Sequence, residues 1–226
     1  MERIDQLKND LLTHFPLRDI EVTVGGRTYV LTTAKDIEHL IDGISEEEFR
    51  VDERLPYWAE LWHSALALAG ALAAEVPARF EQERVLEIGC GLALPGIVAA
   101  SMGARLTLGD FEPLALLAAE LNLLRNIPDG RADIRLMDFR DEPREKWPVI
   151  LAADVIYEKR FVVPLAGFLD HAIEPGGVIY LAEPNRLIAV PFFEALTGRG
   201  FRYDRRSLFT ELHSRSIDIS IYTITR

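Results

Sequence analysis

Two glycines one residue apart, Gly89 and Gly91, follow the apolar pair Val85-Leu86 and the acidic Glu87. A chain leaving a strand can turn tightly there and let a ligand approach bare backbone. A pyrophosphate-binding turn would need a further glycine at position 94, but that residue is leucine and the next glycine is Gly96. Asp110 stands nineteen residues after Gly91, near the ~20-residue spacing at which a carboxylate can bond ribose hydroxyls. The same aspartate could instead cap a helix opening at Pro113. Asp138 could offer a carboxylate to the exocyclic amine of a base and Phe139 a ring, although the pair also suits a surface turn. Asp154 ends the apolar run Val149-Ile150-Leu151-Ala152-Ala153, with Tyr157 three residues on. A carboxylate beside aromatic rings can hold a cationic amine, and a helix cap near Phe161 is the other role open to Asp154. Trp58 and Trp62 are spaced to share one helical face, where core packing competes with a ligand-facing role.

Such residues act only if their elements bring them together. From Pro56 onward short apolar runs alternate with helical periodicity, which calls for a largely parallel sheet covered by helices on both faces. Strands are expected at Arg84–Ile88, Leu106–Leu108, Ile134–Leu136, Val149–Ala153 and Val178–Leu181, the last after a Gly176-Gly177 turn. Helices are expected on a face marked by Leu61, Ala65, Leu68, Ala69 and Leu72, after Pro95 and Pro113, from Phe161 to Ile173, and from Pro191 to Leu196. The tail holds two strand-like runs, Phe201–Phe209 and Ser216–Thr225, with no helix between them, so they should pair antiparallel. Ahead of this, residues 1–50 read as an extension with a short helix (Ile4, Leu7, Leu11, Leu12), a hairpin turning at Gly25-Gly26 and an acidic linker at Glu46-Glu47-Glu48. Residues 51–226 form the main domain. Ligands of such sheets bind beyond the carboxyl ends of the strands, where Gly89, Asp110, Asp138 and Asp154 all fall.

The chain has 226 residues, 49% of them apolar, enough for one well-buried domain. Its 25 basic and 36 acidic side chains leave a net charge of −11, which disfavours a phosphate backbone as partner. The single cysteine, Cys90, cannot close an intramolecular disulfide, so a reducing, cytoplasmic setting is expected. No apolar run reaches membrane-spanning length. His14, His39, His63, His171 and His213 are scattered, and no metal site is expected. Neither a G-x-S-x-G nor a Walker motif is present, which argues against hydrolase and nucleotidase chemistry.

Glu87-x-Gly89-x-Gly91, Asp110, Asp138-Phe139 and Asp154-Val-Ile-Tyr157, each after a strand, together resemble the class I seven-strand S-adenosylmethionine methyltransferases. Pro56-Tyr57-Trp58-Ala59-Glu60-Leu61-Trp62-His63 and the D-x-x-Y run at Asp154 are similar to segments of seven-strand protein-lysine methyltransferases, in particular the electron-transfer-flavoprotein β-subunit and chaperone-directed groups. The resemblance covers about residues 51 to 185. It implies an α/β fold: a Rossmann-like, mostly parallel seven-stranded sheet with an antiparallel carboxyl-terminal hairpin.

It further implies that Gly89, Cys90 and Gly91 line the methionine part of S-adenosylmethionine and that Glu87 reaches its amino group. Asp110 would take the ribose hydroxyls and Phe139 the adenine edge, with Phe111 and Asp138 also in the cofactor-binding set, the Ala153 backbone would close the pocket, and Trp62 would cover the cofactor. Asp154 would hold the acceptor amine and Tyr157 shape its channel, with Tyr57 and Trp58 as aromatic wall. Two departures stand out: Phe139 replaces the tryptophan usual in the chaperone-directed group, and Glu183-Pro184-Asn185-Arg186 only loosely matches the Asp-Pro-Gly-Arg of the flavoprotein-directed one. The expected reaction is N-methylation of lysine on a protein, and the extension would help select that protein. A small amine of the nicotinamide type is the alternative acceptor. An NAD-dependent oxidoreductase is disfavoured by the missing glycine and the antiparallel tail.

Overall fold

The central strands are nearly continuous apolar runs, as a sheet buried on both faces requires. In the computed structural model, which describes residues 2–42, 55–74, 79–212 and 214–226, they lie within one sheet of seven strands. These are β3 (Arg84–Ile88), β4 (Arg105–Asp110), β5 (Ala132–Leu136), β6 (Trp147–Ala153), β7 (Ile173–Glu183), β8 (Arg202–Leu212) and β9 (Arg215–Thr225), in the order β5-β4-β3-β6-β7-β9-β8, the outer members β5 and β8 being more exposed. The first five are mutually parallel, while β9 runs antiparallel to both β7 and β8. The winding reverses between β3 and β6, so a crevice opens at their carboxyl ends.

Side-chain alternation divides the core into two layers. Val85, Val149 and Leu151 face one side with α3 (His63–Ala74), α4 (Leu94–Ser101) and α5 (Pro113–Asn126). Leu86, Ile88, Ile150 and Ala152 face the other with α6 (Val162–Ala172) and α7 (Val190–Thr197). Among the described residues no helix is long and apolar enough to cross a membrane.

The amino-terminal elements, α1 (Glu2–Leu12), the hairpin β1 (Leu17–Val24) and β2 (Arg27–Ala34), and α2 (Ile37–Asp42), precede this sheet. Leu7, Leu11 and Leu31 join the first core layer. Buried Asn122 of α5 accepts the Thr32 N–H at 2.7 Å and donates to the Thr32 carbonyl at 3.2 Å, and Asn126, one turn on, does the same for Val30 at 2.9 and 2.8 Å. Two helix amides thus satisfy the free edge of β2, as a neighbouring strand would. The acidic run Glu46-Glu47-Glu48 and the expected boundary near residue 50 lie outside the described residues.

Two local expectations need correction, and one alternative role falls away. The helix expected to carry Trp58, Leu61 and Trp62 does not reach them: a 3-10 turn covers Tyr57–Ala59, Glu60 is extended and α3 begins at His63. The carbonyls that would continue a helix are taken, because the Trp62 indole donates to the Tyr57 carbonyl at 2.6 Å and the Thr33 hydroxyl to that of Ala59. Trp58 and Trp62 therefore share no helical face. Ile173 begins a strand and does not end a helix, and the Gly176-Gly177 segment is an irregularity inside β7, whose pairing jumps from Trp147↔Ile173 to Val149↔Val178. Asp154 caps no helix, since the turn at Lys159–Phe161 is preceded by Glu158.

Candidate active site

The turn after β3 is built by backbone that few side chains would allow. Gly89 has φ +57°, and a Cβ there would sit 2.8 Å from Cγ1 of Val155, in the loop after β6. Ala93, the residue ahead of α4, also has φ +61°, a left-handed conformation costly for alanine and unsignalled by any glycine in the sequence. Gly96 brings α4 against β3: a Cβ there would lie 2.5 Å from Glu87 Oε2, to which the Gly96 N–H donates at 2.9 Å.

Two carboxyl groups lie buried along this turn. Glu87 is 2% exposed, and burial, reinforced by the charge of Asp110, pushes its pKa up to about 8. Asp110 is 4% exposed and is also raised by burial, which outweighs the backbone N–H bonds that favour its charged form. Its Oδ2 accepts the Gly91 N–H and its Oδ1 the Glu112 N–H, both at 3.0 Å, so it braces the glycine turn from the end of β4. Each oxygen keeps lone-pair capacity for a ligand hydroxyl. Among the described residues neither carboxyl is ion-paired with a base, so a ligand bearing an ammonium group and ribose hydroxyls matches this donor set. The Cys90 thiol, buried between the two, is pushed well above its usual pKa by burial and stays protonated.

Glu87, Gly89, Cys90, Gly91, Asp110, Phe111, Phe139 and Ala153 all line one open cleft of about 750 Å³, mouth included. Phe139 is wedged edgewise against Phe161 and Phe168, with centroids at 6.2 and 6.1 Å, and Phe111 also meets Phe161. Asp138 is the exception. It lies off the cleft wall, where its carboxylate accepts the Arg140 N–H and Nε–H at 2.9 Å as the chain turns after β5.

A second cavity continues from the mouth, lined by Leu55, Tyr57, Trp62, Asp154, Tyr157, Glu158 and Arg186. All but Glu158 and Arg186 also line the first cleft. Tyr57 links the wall, 5.4 Å from Tyr157 and 6.0 Å from Trp62 between centroids. Burial raises the Tyr157 hydroxyl, which therefore stays protonated. Trp58 does not belong to this vestibule: its ring packs 5.6 Å from Phe15, and its backbone faces Gly91 on the cofactor side.

Asp154 sits at the lip between the two cavities with φ +59°, its N–H donating to the Ala182 carbonyl at 2.9 Å. Its carboxylate is ion-paired with Arg186. In the second cavity, Leu55, Glu158 and Arg186 are the lining residues to which the sequence assigned no role. Of these, only Arg186 carried a signal, the Glu-Pro-Asn-Arg run after the fifth strand of the parallel series.

Comparison with known proteins agrees with this geometry. The pattern of a family described as lysine methyltransferase matches residues 52–198. EEF1A lysine methyltransferase 3 of Mus musculus is 30% identical over 174 residues, covering 74% of this chain and 71% of that protein. Protein N-lysine methyltransferase METTL21A of Xenopus tropicalis is 35% identical over 134 residues, 57% of this chain and 61% of its own length. In fold, magnesium protoporphyrin IX methyltransferase from Synechocystis, solved with bound SAM, superposes with a TM-score of 0.60 at 16% identity, covering 84% of this chain and 90% of that one. The glycine turn, the carboxyls at the strand ends and these relatives agree, and the chain belongs to the lysine methyltransferase family.

Proposed function

We propose that the second cavity receives a lysine side chain of a protein, which is methylated where the two cavities meet. The observation that carries this reading is the shared lip: Tyr57, Trp62, Asp154 and Tyr157 border both the cofactor cleft and the vestibule. S-adenosylmethionine, when bound, supplies the methyl group on a sulfonium. Glu87 and Asp110 would take its ammonium group and ribose hydroxyls, and Phe111 and Phe139 would flank the base.

Methyl transfer of this kind needs no acid or metal to release the leaving group, so the protein contributes mainly position and exclusion of water. The rings of Tyr57, Trp62 and Tyr157 form an apolar sleeve that suits a lysine stem and attracts a cationic head. Asp154 would accept a hydrogen bond from the amine and aim its lone pair at the methyl carbon. Free lysine titrates near pKa ~10.4, so the amine must lose its proton on the way in, helped by desolvation and by the nearby sulfonium charge. The net charge of −11 suits a basic protein partner. The reducing setting read from a lone cysteine makes the cytoplasm the place where we propose it works.

Incubating the enzyme with methyl-labelled S-adenosylmethionine and either undialysed lysate, which retains its small amines, or purified EEF1A, the protein in the murine relative's name, tests the reading. Label on a lysine in a tryptic peptide supports it. Label confined to small amines overturns it.

A further inference from the structure

We propose that Arg186 sets the charge of the acceptor pocket: its guanidinium neutralises Asp154, so the amine is taken up in its neutral, nucleophilic form and is not held as an ammonium. This rests on the methyl-transfer reading of the site and adds a specificity-determining residue to it.

A bare carboxylate at the lip would work against the reaction. It would stabilise the protonated amine, which has no lone pair to give. The ion pair removes that conflict. The Asp154 side chain is only 10% exposed and that of Arg186 32%, so the pair is largely withdrawn from water and its charges are poorly screened. With Arg186 in place the vestibule still stands open, so the amine can enter without displacing it.

Arg186 is also held from behind, as a group with a fixed task would be. Its N–H donates to Oε2 of Glu183 at 3.0 Å, and Glu183 is buried at the end of β7. The preceding Asn185 adopts φ +59°. Its side-chain oxygen accepts from Ser220 at 2.6 Å and Arg205 at 2.7 Å, and its amide donates to the Asp218 carbonyl at 2.9 Å. Strands β8 and β9 thus aim the arginine into the vestibule.

The other titratable groups around Asp154 leave this balance intact. Glu158 lies in the vestibule and is paired with Arg160 at 2.5 Å. Buried Glu183 is raised by burial and by Asp154 itself, which lessens its charge. Tyr57 and Tyr157 contribute ring walls, and Glu87 and Asp110 lie in the cofactor cleft. In the reaction the amine lone pair forms the N–C bond as the C–S bond breaks and its electron pair passes to sulfur. The new methylammonium then releases its proton to solvent through the vestibule.

Sinefungin tests this without any protein substrate, because an amine on carbon stands where S-adenosylmethionine carries its methyl group. Calorimetry at neutral pH on the full chain gives its affinity relative to S-adenosylhomocysteine, whose binding also reports that each variant is folded. In Arg186→Gln the relative affinity for sinefungin should rise about fivefold or more, because the uncompensated Asp154 now favours an ammonium. Arg186→Lys should keep the wild-type ratio. Asp154→Asn, which leaves Arg186 uncompensated, should lower the ratio and provides the reading if Arg186→Gln does not fold. A smaller rise or a fall in Arg186→Gln, a rise in Arg186→Lys equal to that in Arg186→Gln, or an unmoved ratio in Asp154→Asn overturns the proposal. Wild-type protein that binds neither compound would instead sink the methyl-transfer reading, which separates the two failures.

Discussion

Oδ2 of Asp110 accepts the backbone N–H of Gly91 at 3.0 Å, so one carboxylate at the end of β4 holds the ligand-facing turn that leaves β3. The second oxygen does the same for Glu112, at the entry to α5. Asp110 is therefore both brace and ligand candidate. Asp110→Ala should weaken S-adenosylhomocysteine binding by about tenfold to a hundredfold, the value of one or two hydrogen bonds to a charged group. Calorimetry on the folded variant reads this, and an unchanged affinity would remove the aspartate from the site.

Glu87 makes the ligand-free enzyme sensitive to pH. Burial lifts its folded-state pKa to about 8, above the 4.5 of a freely solvated glutamate, so the native state keeps a proton that the unfolded chain has released. The associated stability is present below pH 4.5 and is lost as the pH rises through about 8. Within that window the slope approaches about −1.4 kcal/mol per pH unit from this group. Thermal melts of ligand-free protein should show the decline, and Glu87→Gln should flatten it. An ammonium-bearing ligand should release the proton on binding, visible as a buffer-dependent binding enthalpy near pH 7.

At Gly89 a side chain meets two penalties at once. Gly89→Ala would place its Cβ 2.8 Å from Val155 Cγ1 on a backbone at φ +57°. Destabilisation of about 2 kcal/mol is expected, from the left-handed backbone plus overpacking. Adding Val155→Ala should recover the packing part only, so the double variant should melt between the wild type and the single variant. Full recovery would mean that the backbone is unstrained.

For Asp154 the test separates binding from turnover. Asp154→Ala should keep S-adenosylhomocysteine affinity within about threefold, because the residue stands at the lip and other groups grip the cofactor, while kcat/KM for a methylated protein should fall by about a hundredfold or more. Labelled-methyl incorporation measures the second quantity. A variant that transfers methyl at the wild-type rate would clear Asp154 of any part in the reaction.

The amino-terminal layer depends on one buried amide. Asn122→Ala would orphan the Thr32 N–H and carbonyl, both met by that side chain. A loss of about 2–3 kcal/mol is expected, read as a lower melting temperature, with faster amide exchange across β2. Equal exchange at Thr32 in both proteins would show that the edge is satisfied some other way.

Much of this site could be read along the chain because its signals are local. Arg84–Ile88 is expected as a strand and is one in the structure, since a short run with four of its five residues buried carries its own composition. The glycine turn, Asp110 and Asp154 follow strand ends, and a parallel sheet collects such ends on one side wherever the strands sit in its order. Asp138 stands off the cleft wall while Phe139 lines it, and nothing in the pair Asp138-Phe139 says which of the two faces the cleft. Trp58 and Trp62 have helical spacing, yet side-chain donors from Trp62 and Thr33 capture the carbonyls that a helix would need.

The amino-acid order by itself determined the alternation of strands and helices, the family and most of the residues that line the cleft, because these depend on periodicity and on motifs a few residues long. Only the tertiary structure decided that Arg186 pairs with Asp154, that Trp58 leaves the vestibule and that Asn122 completes the edge of β2. Those contacts join residues up to ninety positions apart, and their geometry follows from how the sheet is ordered and how β8 and β9 fold back beside β7, which no short stretch of sequence encodes.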